Sequence, residues 1–288
     1  MRQRTVDSPD TSGREPNLKE IRLSNIHSWI RQTVRNDRSQ RPPSDRPLTA
    51  TTLLRMLRPN LREPVFAIGS PRSGTTFLGE CLSQLPEISY HYEPVITKAA
   101  VRCVWTGAWS ERFATAVYRT VFAWLMRIEY EPDLRFCEKT PGNCFILPFL
   151  HRAFPDAKFI HIVRDGRDAA LSLSKKPWYR NDSRDSGERD PDGYLLGPSR
   201  RFWVEHERAD EYERTGDLHR CIWLWRRYVE EALRGKSSIP DAQYYELRYE
   251  DLVAEPGKYA TDIGEFLGIE SSSSKARFRD GVVANARA

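Results

Sequence analysis

Short, closed apolar runs alternate along the chain with longer segments whose apolar residues recur every three or four positions, the pattern of strands and helices taken in turn. Residues 65–68 (Val-Phe-Ala-Ile) lie between Pro64 and Gly69 and predict a strand buried on both faces of a parallel sheet. Phe77, Leu78, Cys81, Leu82 and Leu85 predict the helix that follows. The alternation over 89–96 predicts a short strand ending at Glu93, and residues 113–128, apolar at Phe113, Val117, Val121, Trp124, Leu125 and Ile128, predict a long core helix. Residues 135–140 read as a strand ending at Lys139 and stopped by Pro141-Gly142, and residues 143–154 as a helix that tolerates Pro148. Residues 159–163 form another apolar strand with Arg164 at its end and a helix from about Gly166. A helix over 217–233 with Ile222, Leu224, Trp225, Val229 and Leu233 mostly inward, a strand over 244–248 and a helix over 258–267 complete the order. Strands alternating with helices predict an α/β class, a three-layer open parallel sheet with helices on both faces.

The flanks differ in character. Residues 1–47 read as a flexible arm: 1–16 and 35–47 are rich in Arg, Asp, Ser and Pro, and 18–34 suit one helix that packs on the domain or on a second copy in a homodimer. A short helix over 48–58 leads into the domain, which runs to 270; residues 271–288 read as a polar tail. Residues 177–198 are too long and polar for a plain connector and predict a mobile loop that closes over an acceptor.

A net charge of +5 with both signs interleaved suits an anionic cofactor or substrate and argues against a nucleic-acid partner. Five cysteines without a Cys-x-x-Cys pair predict free thiols in a reducing compartment. No apolar run is long enough for a membrane span and the first residues lack a signal peptide's apolar core, which predicts a cytoplasmic protein. No carboxylate or histidine cluster of metal-binding spacing is recognisable, so no metal is expected.

The first strand runs into Gly69-Ser-Pro-Arg-Ser-Gly-Thr-Thr76, two glycines at the spacing of a phosphate loop ahead of a helix start. Such a loop turns successive N–H groups toward one anion, and the helix dipole adds to them. A nucleotide-triphosphatase loop has Lys where Thr75 stands, which disfavours a kinase. The cation here is Arg72, whose fork can bind two oxyanion oxygens. The other reading of this loop is a ligand-free β–α turn. Arg164 and Ser172, eight residues apart across a strand end and the next helix, can meet on a second phosphate. The alternative is a surface ion-pair cluster of Arg164, Asp165, Arg167 and Asp168. Glu93 is either a surface residue or a group facing a ligand at the strand ends.

Together Pro71-Arg-Ser-Gly-Thr-Thr-Phe-Leu78 and Val163-Arg-Asp-Gly-Arg-Asp-Ala-Ala-Leu-Ser172 resemble the two nucleotide motifs of the sulfotransferases that use 3′-phosphoadenosine 5′-phosphosulfate (PAPS). The first resembles the arginine form of the 5′-phosphosulfate loop in tyrosylprotein and many bacterial members, and the second the 3′-phosphate motif. The resemblance covers about residues 64–270 and implies the phosphate-loop-like sulfotransferase fold. It implies PAPS as donor, held by Arg72, Ser73, Gly74, Thr75, Thr76, Arg164 and Ser172, with weaker contacts at Lys176 and Tyr249. It further implies Glu93 as catalytic base, with Lys139 and Arg72 acting on the transferring group. A hydroxyl acceptor follows, with carbohydrate, lipid or small-molecule alcohols ahead of tyrosine; His91 is the next candidate base. Members commonly continue into a Gly, Trp and Lys-bearing segment after the last helix, and no counterpart follows Ser274. A nucleotide-binding protein that has lost catalysis is the rival from another class.

Overall fold

The computed structural model describes residues 32, 33, 35, 49–129, 131–190, 192–269 and 272–286. Most of the arm, including all but a few residues of its expected helix, lies outside them. Thr33 is helical and buried, and its Oγ1 accepts from the Val95 N–H at 3.2 Å.

Five parallel strands form one sheet: β1 (Val65–Ile68), β2 (Ile88–Tyr92), β3 (Arg135–Lys139), β4 (Lys158–Val163) and β5 (Tyr244–Arg248), in the order β2-β3-β1-β4-β5. Every residue of β1 is buried because the pleat sends alternate side chains into two separate cores. Phe66 and Ile68 join one, where Phe66 meets the rings of Phe122, Phe154 and Phe159; Val65 and Ala67 join the other with Leu78, Leu82 and Ile263. The first core is covered by α3 (Val95–Trp105), α4 (Glu111–Ile128), α5 (Leu147–Ala153) and α8 (Asp217–Lys236), and the second by α2 (Thr75–Ser83), α10 (Pro256–Phe266) and α11 (Ser272–Ala286). The short helices α1 (Ala50–Arg55), α7 (Ala209–Arg214) and α9 (Tyr249–Ala254), and α6 (Gly166–Ser174) after β4, complete the chain. This is the three-layer α/β sheet that the periodicity predicts.

Sequence and structure part at several places, and α3 and α7 lie where no helix is expected. Phe113 of α4 is half exposed; Val121 and Leu125 are buried as expected, and Ala114, Tyr118 and Phe122 share their buried stripe. In α8 the inward face is rotated: Leu233 is exposed, while Arg220, Trp223, Arg227 and Glu231 are buried with their charges satisfied inside the domain. Paired arginines read as solvent-facing in a hydropathy pattern, which is why the face was misplaced. Within the stretch expected to be a polar tail, α11 lays Phe278 and Val282 against the second core. Residues 177–198, expected to be a mobile loop, are built into the domain: Tyr179, Tyr194 and Leu196 are buried, and the buried Arg201 stacks on both tyrosines and pairs with Asp190 at 3.1 Å.

Candidate active site

All five strands point the same way, so their C-terminal ends and the loops after them share one edge, and β1 lies where the order reverses. The loop after β1 turns on backbone conformations that few residues reach. Gly74 sits at φ 91°, where a Cβ would lie 2.4 Å from Tyr249 Cδ2, and Arg72 itself is left-handed at φ 68°. Gly74 is also the N-cap of α2 and brings no capping side chain, leaving the first-turn amides open to an anion. Ser73 is fully buried, and its Oγ has no partner among the described residues. A buried hydroxyl is costly to leave unpaired, and here it sits inside a phosphate-type loop.

The second anchor meets the first directly. Arg72 Nε donates to Ser172 Oγ of α6 at 3.1 Å, and Arg164 Nη1 donates to the Arg72 carbonyl at 3.3 Å. The Arg164 guanidinium lies 4.8 Å from the Tyr249 ring centroid, Tyr249 packs edge-on to Phe77, and the buried Arg164 Nε has no partner among the described residues. Trp225 of α8 supports the strand end: its indole N–H donates to the Arg164 carbonyl at 3.0 Å, and its ring lies so near Gly166 that a Cβ there would be 2.8 Å away. The surface ion-pair alternative describes only part of the cluster. Asp165 and Arg167 pair at 2.6 Å on the outside, while Arg164 turns toward the loop. Thr75 is buried and Thr76 half-buried in the first turn of α2. Lys176 is half-buried with its ammonium 6.0 Å from the Trp178 ring, and no described contact joins it to Arg164 or Ser172.

Glu93 and Lys139 are brought together by register. Tyr92 pairs with Lys139 across β2 and β3, and the next residue's N–H donates to the Lys139 carbonyl at 3.0 Å, which places Glu93, left-handed at φ 41°, over the end of β3. Its Oε1 accepts from Lys139 Nζ, and its Oε2 accepts from Lys98 Nζ at 2.7 Å. Lys139 is buried over the Tyr92 ring at 3.9 Å. Burial by itself would raise the Glu93 pKa, but the two ammonium groups outweigh it and hold the carboxyl at about 2. Burial pulls Lys139 below its ordinary range even with Glu93 against it, whereas Lys98 is pushed above its range because Asp192 and Glu93 outweigh its burial. Lys98, Asp192 and Tyr92 escaped the sequence reading as site residues, and Trp225 was read only as core: Lys98 is five residues past Glu93, and nothing in the chain's order ties Asp192 to either. His91 is removed as a candidate base, being fully buried with its ring stacked on Phe136 and its Nε2 3.0 Å from Ser89 Oγ.

A family model described as the sulfotransferase family matches residues 64–273, a span that contains both anchors, Glu93 and Lys139. The chain belongs to that family. Human protein-tyrosine sulfotransferase 1 is 32% identical over 122 residues, covering 38% of this chain and 33% of that protein. Chicken protein-tyrosine sulfotransferase 2 is 27% identical over 223 residues, covering 73% and 52%. The ω-hydroxy-β-dihydromenaquinone-9 sulfotransferase Stf3 of Mycobacterium tuberculosis is 26% identical over 156 residues, covering 52% and 33%. The matched stretches thus take in between a third and about half of these sulfotransferases' own length. In fold the chain is similar to the sulfotransferase STF9 of Mycobacterium avium, with a TM-score of 0.53 at 15% identity, covering 91% of this chain and 76% of that one. Among the described residues no group of His, Cys, Asp and Glu is placed to hold a metal ion, and no helix is long and apolar enough to cross a membrane.

Proposed function

We propose that this sulfotransferase-family chain moves a sulfuryl group from PAPS to a hydroxyl acceptor, with Glu93 as the base. The observation that carries this reading is the placement of Glu93 and Lys139 at the same sheet edge as a phosphate-type loop and the end of β4, whose buried Ser73 Oγ and Arg164 Nε have no partner among the described residues. Those two atoms and the uncapped amides of α2 fit a doubly phosphorylated nucleotide. The Ser73 hydroxyl, the amides of residues 74–76 and Arg72 would hold the 5′ side, the Ser73 N–H being taken by the Ser70 carbonyl at 3.1 Å, and Arg164 and Ser172 would hold the 3′-phosphate. Tyr249 would lie along the same ligand, and Lys176 would close over it.

PAPS supplies an activated sulfuryl group. In-line displacement of such a group passes through a loose transition state, in which the protein mainly positions groups and neutralises charge. Arg72, Lys139 and the loop amides would stabilise the charge that grows on the sulfuryl and bridging oxygens. As the acceptor oxygen bonds to sulfur, the bond from sulfur to the phosphate oxygen breaks, that oxygen keeps the electron pair, and the acceptor proton passes to Glu93. The names of the relatives carry tyrosine and an ω-hydroxy lipid quinone as acceptors, and both fit this chemistry. We favour a carbohydrate, lipid or small-molecule alcohol for this chain.

Incubation of the purified chain with sulfur-labelled PAPS and a panel of sugar, lipid, small-alcohol and tyrosyl-peptide acceptors tests the reading. Label transferred to a hydroxyl is the expected result. Tight binding of PAPS with no transfer to any acceptor and no hydrolysis would favour a nucleotide-binding protein without catalysis.

A further inference from the structure

Glu93 accepts from two ammonium groups, and only Lys139 belongs to a strand end. Lys98 stands in the first turn of α3, and its Nζ lies 2.7 Å from Glu93 Oε2 and 2.8 Å from Asp192 Oδ1. Asp192 arrives from the segment after α6, and the turn around it is built to present it. Asp190 Oδ1 accepts from the N–H groups of Asp192 and Tyr194, each at 2.9 Å, and Gly193, left-handed at φ 89°, donates to the Asp190 carbonyl at 2.9 Å. The other Asp190 oxygen is fixed by the buried Arg201. Asp192 is therefore held by a chain of contacts that ends in the core.

One ammonium between two carboxylates divides its attraction, and any approach to Asp192 weakens its hold on Glu93. A base whose two oxygens both face ammonium groups accepts a proton poorly, so the proposed reaction needs one of them loosened. Lys139 is buried and stacked on Tyr92, while Lys98 is partly exposed and has a second partner. Among the described residues, other titratable groups facing this cluster are Tyr90 and Tyr92 of β2, both pushed up by burial, Glu80 of α2, whose field reaches Lys139, and, on the Asp192 side, Asp190, Tyr179 and Tyr228.

We propose that Lys98 is a positioning residue shared between Glu93 and Asp192, and that the turn presenting Asp192, by offsetting part of the Lys98 charge while the ammonium touches both carboxylates, keeps Glu93 able to take the acceptor's proton. This rests on Glu93 being the base of the proposed reaction, and the test separates the two.

The first arm measures release of labelled sulfate from PAPS to water, in which water's oxygen bonds to sulfur, the nucleotide leaves with the electron pair and the proton goes to Glu93. Asp192→Asn should lower kcat about tenfold, the size of one charge-assisted contact, with the Kd for PAPS unchanged, and Asp192→Glu should restore it. The double variant Lys98→Met/Asp192→Asn should be no slower than Lys98→Met alone, because no ammonium is left to draw away. Losses that simply multiply in the double variant would overturn the proposal. The second arm needs no turnover: the glutamate carboxyl carbon whose NMR signal vanishes in Glu93→Gln should remain ionised to pH 4 in the parent chain and titrate at least about one pH unit higher in Lys98→Met. An unmoved titration overturns the shared contact whatever the rates do. Full turnover in Glu93→Gln would instead overturn the reading of Glu93 as base and leave the titration standing.

Discussion

Arg164 carries two duties that a mutation separates. Its guanidinium already touches the Arg72 carbonyl and the Tyr249 ring, yet its buried Nε has no partner among the described residues, which fits the phosphate contact proposed for it. Arg164→Ala is expected to weaken PAPS binding by about 1.5–3 kcal/mol, the worth of one charge-assisted contact. Adenosine 5′-phosphosulfate, which lacks the 3′-phosphate, should lose far less. Calorimetry with both ligands decides it, and equal losses would mean that Arg164 holds the loop and not the phosphate. Glu93 is the sharper case at this scale. Glu93→Gln keeps the shape and removes the proton acceptor, so transfer should fall by at least about a hundredfold while the Kd for PAPS stays within a few-fold. The chain's order gave both residues as candidates, because each stands at or just past the end of an apolar run. It gave no hint of Lys98, which depends on how α3 leaves β2.

At the scale of elements, the loop after β1 works only while its backbone can take left-handed turns beneath Tyr249. Gly74→Ala adds a Cβ 2.4 Å from Tyr249 Cδ2 at φ 91°, so either α9 moves or the loop does. A cost of about 1–3 kcal/mol in thermal unfolding, with loss of nucleotide binding beyond that cost, is the expected outcome; normal binding would mean that the loop adapts and its geometry is not what receives the anion. The helix α11, like α3 and α7, is an element that sequence pattern left unassigned, since its polar faces conceal the periodicity and, among the described residues, Phe278 and Val282 carry its contact with the core. Phe278→Ala is expected to cost about 3–5 kcal/mol by denaturant unfolding, as for other buried aromatic truncations. A loss below about 1 kcal/mol would show that α11 is a passenger.

For the whole molecule, two buried carboxylates push stability in opposite directions with pH. Glu93 is held at about 2 in the fold against an ordinary value of 4.5, so its ionised form stabilises the fold above pH 4.5 and that contribution drains away as pH falls toward 2. Asp190 is raised by burial to about 6 from 3.8 even with Arg201 opposing, so the fold binds its proton more tightly than the unfolded chain, and stability declines as pH rises from about 4 to 6. Unfolding free energies measured across pH 3 to 7 should therefore peak between the two regimes. Glu93→Gln should flatten the acid side by up to about 3 kcal/mol, whereas an unchanged acid limb would mean that the lysine cluster does not govern acid stability.

The sequence by itself determined the sheet and the family, and it marked out the Arg72 loop and the Arg164–Ser172 pair that the structure brings into contact. Each depends on short-range order: apolar runs closed by Pro and Gly, a glycine pair at loop spacing, an Arg at a strand end with a Ser two turns on. Tertiary structure alone decided which face of α8 is inward, because the buried Arg220 and Arg227 are made tolerable by partners distant in sequence. It also decided that residues 177–198 form a built wall carrying Asp192, since a buried pair between Asp190 and Arg201 leaves no periodic signal. The environment of Glu93 was settled in the same way. Strand register set Lys139 beside it, the entry of α3 added Lys98, and a turn about a hundred residues later brought Asp192. Charge contacts of this kind are made across space between side chains that hydropathy and spacing treat as unrelated.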